Sequence, residues 1–187
     1  MKRFLDVLLS LLAIIFLSPL MLIISLIIIC DDGLPVIFRQ NRVGKGDELF
    51  KIKKFRTMKN GAPNLSTADF EQSDEFITRS GKFLRRTSLD ELPQLFNVLA
   101  GEMSLVGPRP LLKSEIQQYY ADSADVLLSV KPGVTGYWQA YARNNATYQS
   151  GHRQQMEMTY IRQASIWLDC KILLKTVVAV LRRDGAK

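Results

Sequence analysis

The run Arg85-Arg86-Thr87-Ser88-Leu89-Asp90-Glu91-Leu92-Pro93-Gln94-Leu95-Phe96-Asn97 is the part of the chain hardest to explain as packing alone. Two arginines and two adjacent carboxylates frame the start of a short apolar-periodic segment. A carboxylate can serve as nucleophile or metal ligand, and arginines bind phosphate through paired donors. Gly107-Pro108-Arg109-Pro110 comes closely after and adds a further fixed cation. Together these residue types suit phosphate chemistry. The plainer reading is that Asp90 caps a helix and Glu91 is a favourable first-turn charge.

Leu92, Leu95, Phe96 and Leu99 recur at helical spacing and Gly101 stops the pattern, so a short helix is expected with one face toward a core. Pro93 places its start. A proline is tolerated where the helical N–H is an orphan, so Pro93 as third helical residue puts the N-cap near Asp90 and the two acids at the positive end of the helix dipole. A start at Ser88, with Ser88 and Glu91 as a capping box, ranks second because it sets Pro93 a turn too deep.

Ser88-Leu89-Asp90-Glu91-Leu92-Pro93-Gln94-Leu95-Phe96-Asn97-Val98-Leu99, then Gly101-Glu102-Met103-Ser104-Leu105-Val106-Gly107-Pro108-Arg109-Pro110, closely resembles the signature of the monotopic phosphoglycosyl transferases, a family of bacterial sugar transferases. Lys54-Phe55-Arg56-Thr57-Met58, the Lys131 to Gly136 stretch, Gln139, Arg143, Asn144 and Trp167-Leu168-Asp169 resemble further family blocks. Many members carry Gly where Ala142 stands. The resemblance implies transfer of a phosphosugar from a UDP-sugar to a polyprenol (undecaprenyl) phosphate, giving a polyprenyl diphosphate sugar and UMP, the first membrane step of a bacterial glycoconjugate pathway. On that reading an ionised Asp90, favoured by the helix N-terminus and the arginines, attacks the sugar-bearing phosphorus, and Glu91 assists as metal ligand or base. Lys54, Arg85, Pro108, Arg109, Pro110, Gln139, Arg143 and Asp169 are the expected substrate-binding positions.

Among 187 residues the formal net charge is +7, which by itself fits nucleic acid, anionic lipid or a phosphorylated substrate. The apolar start of the chain favours the last two, and no nucleic-acid partner is expected. Cys30 and Cys170 lack metal-site spacing and His152 has no partner, so neither a zinc site nor a disulfide framework is expected. Any metal is held by oxygen. Carboxylates beside a diphosphate favour Mg²⁺, with Asp90 as its protein ligand.

The elements that must position this chemistry begin with Leu5 to Cys30, almost wholly apolar and long enough to cross a ~30 Å hydrocarbon core at ~1.5 Å per residue. Ser18-Pro19 lies near its middle, where proline frees a carbonyl that a serine hydroxyl can satisfy. Lys2 and Arg3 precede the segment and Arg39, Arg42, Lys45, Lys51, Lys53, Lys54 and Arg56 come after it, so the positive-inside rule draws both ends to the cytoplasm. A re-entrant helix-break-helix anchor over residues 1–33 satisfies both pulls, and the family resemblance implies the same. A proline-kinked spanning helix is the alternative. Membrane lipids are thus expected partners, at the cytoplasmic face of the bacterial inner membrane.

Residues 34–187 are expected to form a small α+β catalytic domain. Val36 to Phe38 and Phe50 to Ile52 read as strands of a hairpin around Gly44-Lys45-Gly46-Asp47, which is not a phosphate-binding loop of the GxxxxGK[ST] kind. Asn60 to Ser80 reads as a long polar connection with one helical turn near Asp69 to Phe76. Leu111 to Tyr120 and Thr147 to Gln163 read as helices, Lys131 to Gly136 as a turn, and Trp138, Tyr148 and Tyr160 as packing aromatics. Residues 166–183 form an amphipathic basic helix that lies in the lipid interface or against the domain core. Asp169 has a salt bridge to Lys171 or an arginine as its plainer role. The sequence leaves a homodimer open. A retaining glycosidase is disfavoured because residues adjacent on one helix cannot flank a glycosidic bond at ~5 Å or more. A non-catalytic basic module that binds anionic lipid or an assembly partner is the competing class.

Overall fold

The computed structural model describes residues 1–62, 74–142 and 148–182. The chain is α+β, with a long apolar N-terminal helix, two small sheets and several short helices. Helix α1 (Lys2–Asp32) is long and apolar enough to enter a bilayer, with a mean hydropathy of 3.0 over its most apolar window. Its middle is bare: Ile15 is 59% and Phe16 78% exposed.

Helical structure runs through Ser18-Pro19 without a gap, where the sequence pattern suggests a break into two segments. The reason is local. Pro19 has no N–H to give the carbonyl of Ile15, and the Ser18 hydroxyl donates to that same oxygen at 2.9 Å.

Both ends of α1 are fastened to the rest of the chain. At the start, Lys2 Nζ meets Asp169 Oδ2 at 2.5 Å and the Val106 carbonyl at 2.9 Å, while Asp6 accepts from the Ser104 hydroxyl and the Leu105 N–H. At the other end, Asp31 accepts from Ser80 N–H and hydroxyl, and Arg56 donates to the carbonyls of Asp32 and Gly33.

Strands β1 (Ile37–Val43) and β2 (Leu49–Phe55) form the expected antiparallel hairpin, with a short 3₁₀ turn, Lys45–Asp47, between them. Helix α2 (Arg79–Thr87) starts at Thr78, whose hydroxyl accepts from the Gly81 N–H. Helix α3 (Gln94–Ala100) ends at Gly101, whose φ of 85° is the left-handed value that favours glycine. Strand β3 (Ser104–Val106) pairs in parallel with β4 (Gly133–Thr135). This corrects the expectation of a plain turn over Lys131 to Gly136: Gly133 lies so close to Gly107 that only a residue without Cβ fits, and two glycine-bearing segments can therefore pair backbone to backbone.

Helices α6 (Tyr137–Tyr141), α7 (His152–Gln163) and α8 (Ile166–Arg182) pack against this pair, while α4 (Lys113–Tyr119) and α5 (Ala124–Leu127) pack with α7 on a separate cluster around Val43 and Leu111. The expected turn at Asp69 to Phe76 is described only as a 3₁₀ turn, Asp74–Phe76, and the rest of that segment lies outside the described residues, as do Asn144, Thr147 and Arg183.

One apolar cluster joins α1 to the acidic turn. Ile24 and Ile28 of α1 pack with Phe55 and Leu84, and Leu89 and Leu92 lie against the same cluster. Those two leucines flank Asp90 and Glu91, so the carboxylate pair is seated directly on the apolar N-terminal helix. Burying four such aliphatic and aromatic side chains contributes on the order of 1.5–3 kcal/mol each, before chain entropy is counted.

Candidate active site

Asp90 and Glu91 belong to a 3₁₀ turn, Leu89–Glu91, that precedes α3, and neither sits at an α-helix N-cap. The hydrogen bonds through this region are all of the tighter kind: Glu91 N–H to Ser88 O, Leu92 to Leu89, Leu95 to Leu92, Phe96 to Pro93. Pro93 cannot donate to Leu89 as an α-helix would require, so the α-helical ladder begins only beyond it. Pro93 is therefore the N-cap residue itself. Ser88, expected at most as a capping-box residue, instead ends α2 in the left-handed region at φ 57°. That reversal brings Arg85, in the last turn of α2, and Asp90 to the wall of one cleft.

The cleft has a volume of about 470 Å³. It collects Lys54, Arg85, Arg109, Asp90 and Glu91 from the sequence-derived set, together with Gln40, Arg42, Arg56 and Thr57. Lys54 Nζ pairs with Glu91 Oε1 at 2.7 Å, and Arg85 Nε donates to the Thr57 hydroxyl at 2.8 Å. The Arg109 loop is fixed from behind. Its backbone N–H donates to buried Glu157, and a Cβ on neighbouring Gly107 would stand 2.5 Å from the Lys131 carbonyl.

Asp90 is half-buried, and its carboxyl is pushed up to about 6, first by lost hydration and next by the charge of Glu91, against the pull of Lys54 and Arg85. This corrects the expectation of a carboxylate held low by a helix N-terminus and arginines. There is no α-helix N-terminus at Asp90, and Lys54 spends its close contact on Glu91. At pH 7 the group remains mostly ionised, with the basicity of a competent nucleophile.

Two adjacent carboxylates with mutual repulsion in a cleft rich in cations also fit a divalent ion of the Mg²⁺ kind, which takes one or two protein carboxylates and completes its shell with phosphate oxygens and water. Among the described residues no group of three or more His, Cys, Asp or Glu side chains converges on a metal-sized site, so an ion at this pair would take most of its ligands from substrate and solvent.

The other expected positions divide. Gln139 and Pro110 line a small side chamber that adjoins the cleft and shares Arg42, Lys54, Glu91 and Arg109 with it. Pro108 is buried on the far side of its loop, among Val43, Leu111 and Leu127. Arg143 lies outside the described residues. Asp169 is not brought to the cleft: it accepts from Tyr160 and pairs with Lys2, where the sequence suggests Lys171 or an arginine. The N-terminus of α1 lands on α8, a contact between residues 167 positions apart that no local pattern announces.

Sequence reasoning passed over Gln40 and Arg42, counting Arg42 only as a flanking charge. The available signal was strand alternation: Phe38, Gln40 and Arg42 share one face of β1, cross-strand from Lys54 and Ile52. Arg56, in sequence a flanking charge within a family block, is buried and spent on holding the end of α1. Trp138 and Tyr148 pack, as expected, with the Arg153 guanidinium between their rings.

The profile of the bacterial sugar transferase family matches residues 1–183. The chain is 41% identical, over all of its length, to the undecaprenyl-phosphate galactose phosphotransferase of Salmonella typhimurium. Over 95% of its length it is 40% identical to the UDP-glucose:undecaprenyl-phosphate glucose-1-phosphate transferase of Escherichia coli. It spans 41% and 39% of those two proteins, and 87% of the exopolysaccharide production protein ExoY of Sinorhizobium fredii, to which it is 36% identical.

Proposed function

The chain belongs to the bacterial sugar transferase family, and from that premise we propose that it transfers a hexose phosphate from a UDP-sugar to a polyprenol phosphate of the undecaprenyl kind. The observation that carries this reading is the placement of Asp90: an under-neutralised carboxylate in a cationic cleft, on a turn whose flanking leucines pack against an apolar helix of membrane length. A soluble donor with a diphosphate and a lipid-borne acceptor phosphate need such a junction.

In the first step an Asp90 carboxylate oxygen attacks the phosphorus that bears the sugar. The bond from that phosphorus to the UMP oxygen breaks, and UMP departs with the electron pair, leaving a phosphosugar on Asp90 as an acyl phosphate. In the second step an oxygen of the acceptor phosphate attacks the same phosphorus and returns Asp90 to its carboxylate. Lys54, Arg85 and Arg109 offset charge on the phosphoryl oxygens. Glu91, held by Lys54, keeps Asp90 basic and stands beside it as the second carboxylate. Asp90, with Glu91 nearby, would hold Mg²⁺, which when bound would supply charge neutralisation at the diphosphate.

The fastening of both α1 ends to one domain supports a segment that enters and leaves the bilayer by the same face, since a straight crossing would carry one end away from its partners. Excess positive charge at both flanks supports the cytoplasmic side. Helix α8 buries Ile172 and exposes Trp167, Leu174 and Val177 beside Lys171 and Lys175, a surface suited to the headgroup region.

Incubation of the membrane-reconstituted protein with a UDP-sugar and Mg²⁺, without acceptor, is expected to add one phosphosugar mass to the peptide containing Asp90 and release one equivalent of UMP. Release of UMP only when acceptor is present, with no adduct at any quench time, would point to direct transfer instead. Full transfer by Asp90→Asn would remove Asp90 from the role of nucleophile, and a wild type that transfers nothing would return the protein to the class of non-catalytic basic membrane modules.

A further inference from the structure

Gln40 occupies the middle of β1 opposite Ile52, with Phe38 and Arg42 on the same strand face. All four residues line the cleft. Arg42 is buried and extends its guanidinium to three acceptors: Nη1 donates to Glu115 Oε2 at 2.9 Å and to the Pro110 carbonyl at 3.4 Å, and Nη2 to Gln40 Oε1 at 2.6 Å. Glu115 in turn accepts from the Leu112 N–H at 2.8 Å.

This chain of contacts settles which way the Gln40 amide faces. A guanidinium has only donors, so the carboxamide must present its oxygen to Arg42 and turn its NH₂ group away. Among the described residues no acceptor takes a hydrogen bond from that nitrogen. The result is an orientation-locked neutral donor on a cleft wall, flanked by the apolar faces of Phe38 and Ile52. Lys54, which pairs with Glu91, stands diagonally across the two strands from it, roughly 7–8 Å away. Phosphoryl oxygens are already served by the cations nearer Asp90. A neutral donor between apolar faces suits a carbonyl or hydroxyl oxygen on a ring.

We propose that Gln40 is a specificity-determining contact of the donor subsite, its NH₂ group donating to an acceptor oxygen of the nucleotide sugar, and that Arg42 and Glu115 are positioning residues that lock its direction. The inference rests on the cleft being the UDP-sugar site. A buried Arg–Glu pair is an expensive way to gain stability, since an apolar pair of similar volume serves as well. Its role in aiming a donor into the cleft gives it a use that packing does not.

The partner oxygen belongs either to the nucleobase or to the sugar, and the same two variants separate the sources. Gln40→Glu keeps an acceptor for Arg42 but has no donor; Gln40→Met removes both. Each is expected to raise KM for the UDP-sugar about tenfold or more, the scale of one lost hydrogen bond with an unpaired group left behind, while kcat changes less. If inhibition by UMP weakens by the same factor, the oxygen is on the nucleotide; if UMP inhibition is unchanged, it is on the sugar.

Wild-type KM and UMP inhibition in Gln40→Glu beside impairment in Gln40→Met would overturn the proposal, because Gln40 would then only prop Arg42. Wild-type values in both variants would overturn it as well. Thermal unfolding in the same detergent separates a local effect from misfolding, and wild-type inhibition by UMP in Gln40→Met settles the nucleotide arm even if Gln40→Glu does not fold. A wild-type protein that neither binds nor turns over any UDP-sugar would instead remove the reading of the cleft itself, a result visible before any variant is made.

Discussion

Two aspartates of this chain live under opposite terms. Asp169 is buried and answered on both oxygens, by Lys2 at 2.5 Å and by the Tyr160 hydroxyl at 2.7 Å. Asp90 borders a cleft where the nearby Lys54 pairs with Glu91 instead, and it holds its proton up to about pH 6 because lost hydration and Glu91 outweigh Lys54 and Arg85. The first arrangement fastens the start of α1 to α8. The second stores electrostatic discomfort where a phosphorus atom or a cation can relieve it. Satisfaction marks the structural carboxylate, and its absence is what the chemistry proposed for Asp90 requires.

The largest expected effect breaks the comparison along the axis of function. Asp90→Asn keeps the shape of the turn and removes the proposed nucleophile, so the proposed phosphosugar transfer is expected to fall by roughly 10³-fold or more, while membrane attachment is unchanged. Radiolabelled sugar in the lipid fraction, with sedimentation of the protein through vesicles, measures both. Asp169→Asn is expected to retain the chemistry of any properly folded molecules.

Next in size is a reversal of sign in stability. The ordinary carboxyl value for Asp90 is 3.8, so between about pH 4 and 6 the folded chain binds more protons than the unfolded one. Stability therefore falls as pH rises through that window, and at pH 7 the ionised Asp90 costs about 1–3 kcal/mol. Asp90→Asn should raise the unfolding midpoint at pH 7 and leave it little changed at pH 4. Asp169→Asn should lower it, by about 1–2 kcal/mol, a figure reduced because the Lys2 side chain is 41% exposed. For a chain of this size each kcal/mol is about 2–4 °C. Midpoints that move in the same direction for both variants would erase the distinction between the two sites.

The contrast also explains what sequence could and could not disclose. The α+β class, the hairpin, the apolar entry helix and the company of Asp90, Glu91, Lys54, Arg85 and Arg109 were legible because each rests on a local pattern: alternation, periodicity, a turn or a contiguous motif. The local shape at Asp90 was not, since one proline admits either a helix start or a 3₁₀ turn, and the choice is made by the leucines that pack against α1. Nor were the parallel β3–β4 pair, the Lys2–Asp169 latch and the Gln40–Arg42–Glu115 chain. Each depends on residues far apart in sequence whose types alone have commoner uses. Charge counting also misjudged Asp90, because burial and the placement of Lys54 on Glu91 decide its ionisation, and composition contains neither.

The smallest effect gives the sharpest test, because it changes the terms around Asp90 without touching it. If Asp90 acts as an anion, kcat/KM should fall about tenfold per unit below pH ~6, the value of the free enzyme. Glu91 holds that value up and Lys54 holds it down. Glu91→Gln should therefore move the acid limb to lower pH, and Lys54→Met should move it higher, each by a fraction of a unit to about one unit for charges this close at a cleft wall. The height of the plateau is a separate quantity, and both variants should lower it, since each removes a group that faces the reacting phosphate. A limb that stays fixed while the plateau drops would mean that some other group titrates in the profile. Opposite displacements on the pH axis have no explanation in lost packing, and would tie the chemistry to the carboxylate whose charge the fold leaves under-neutralised.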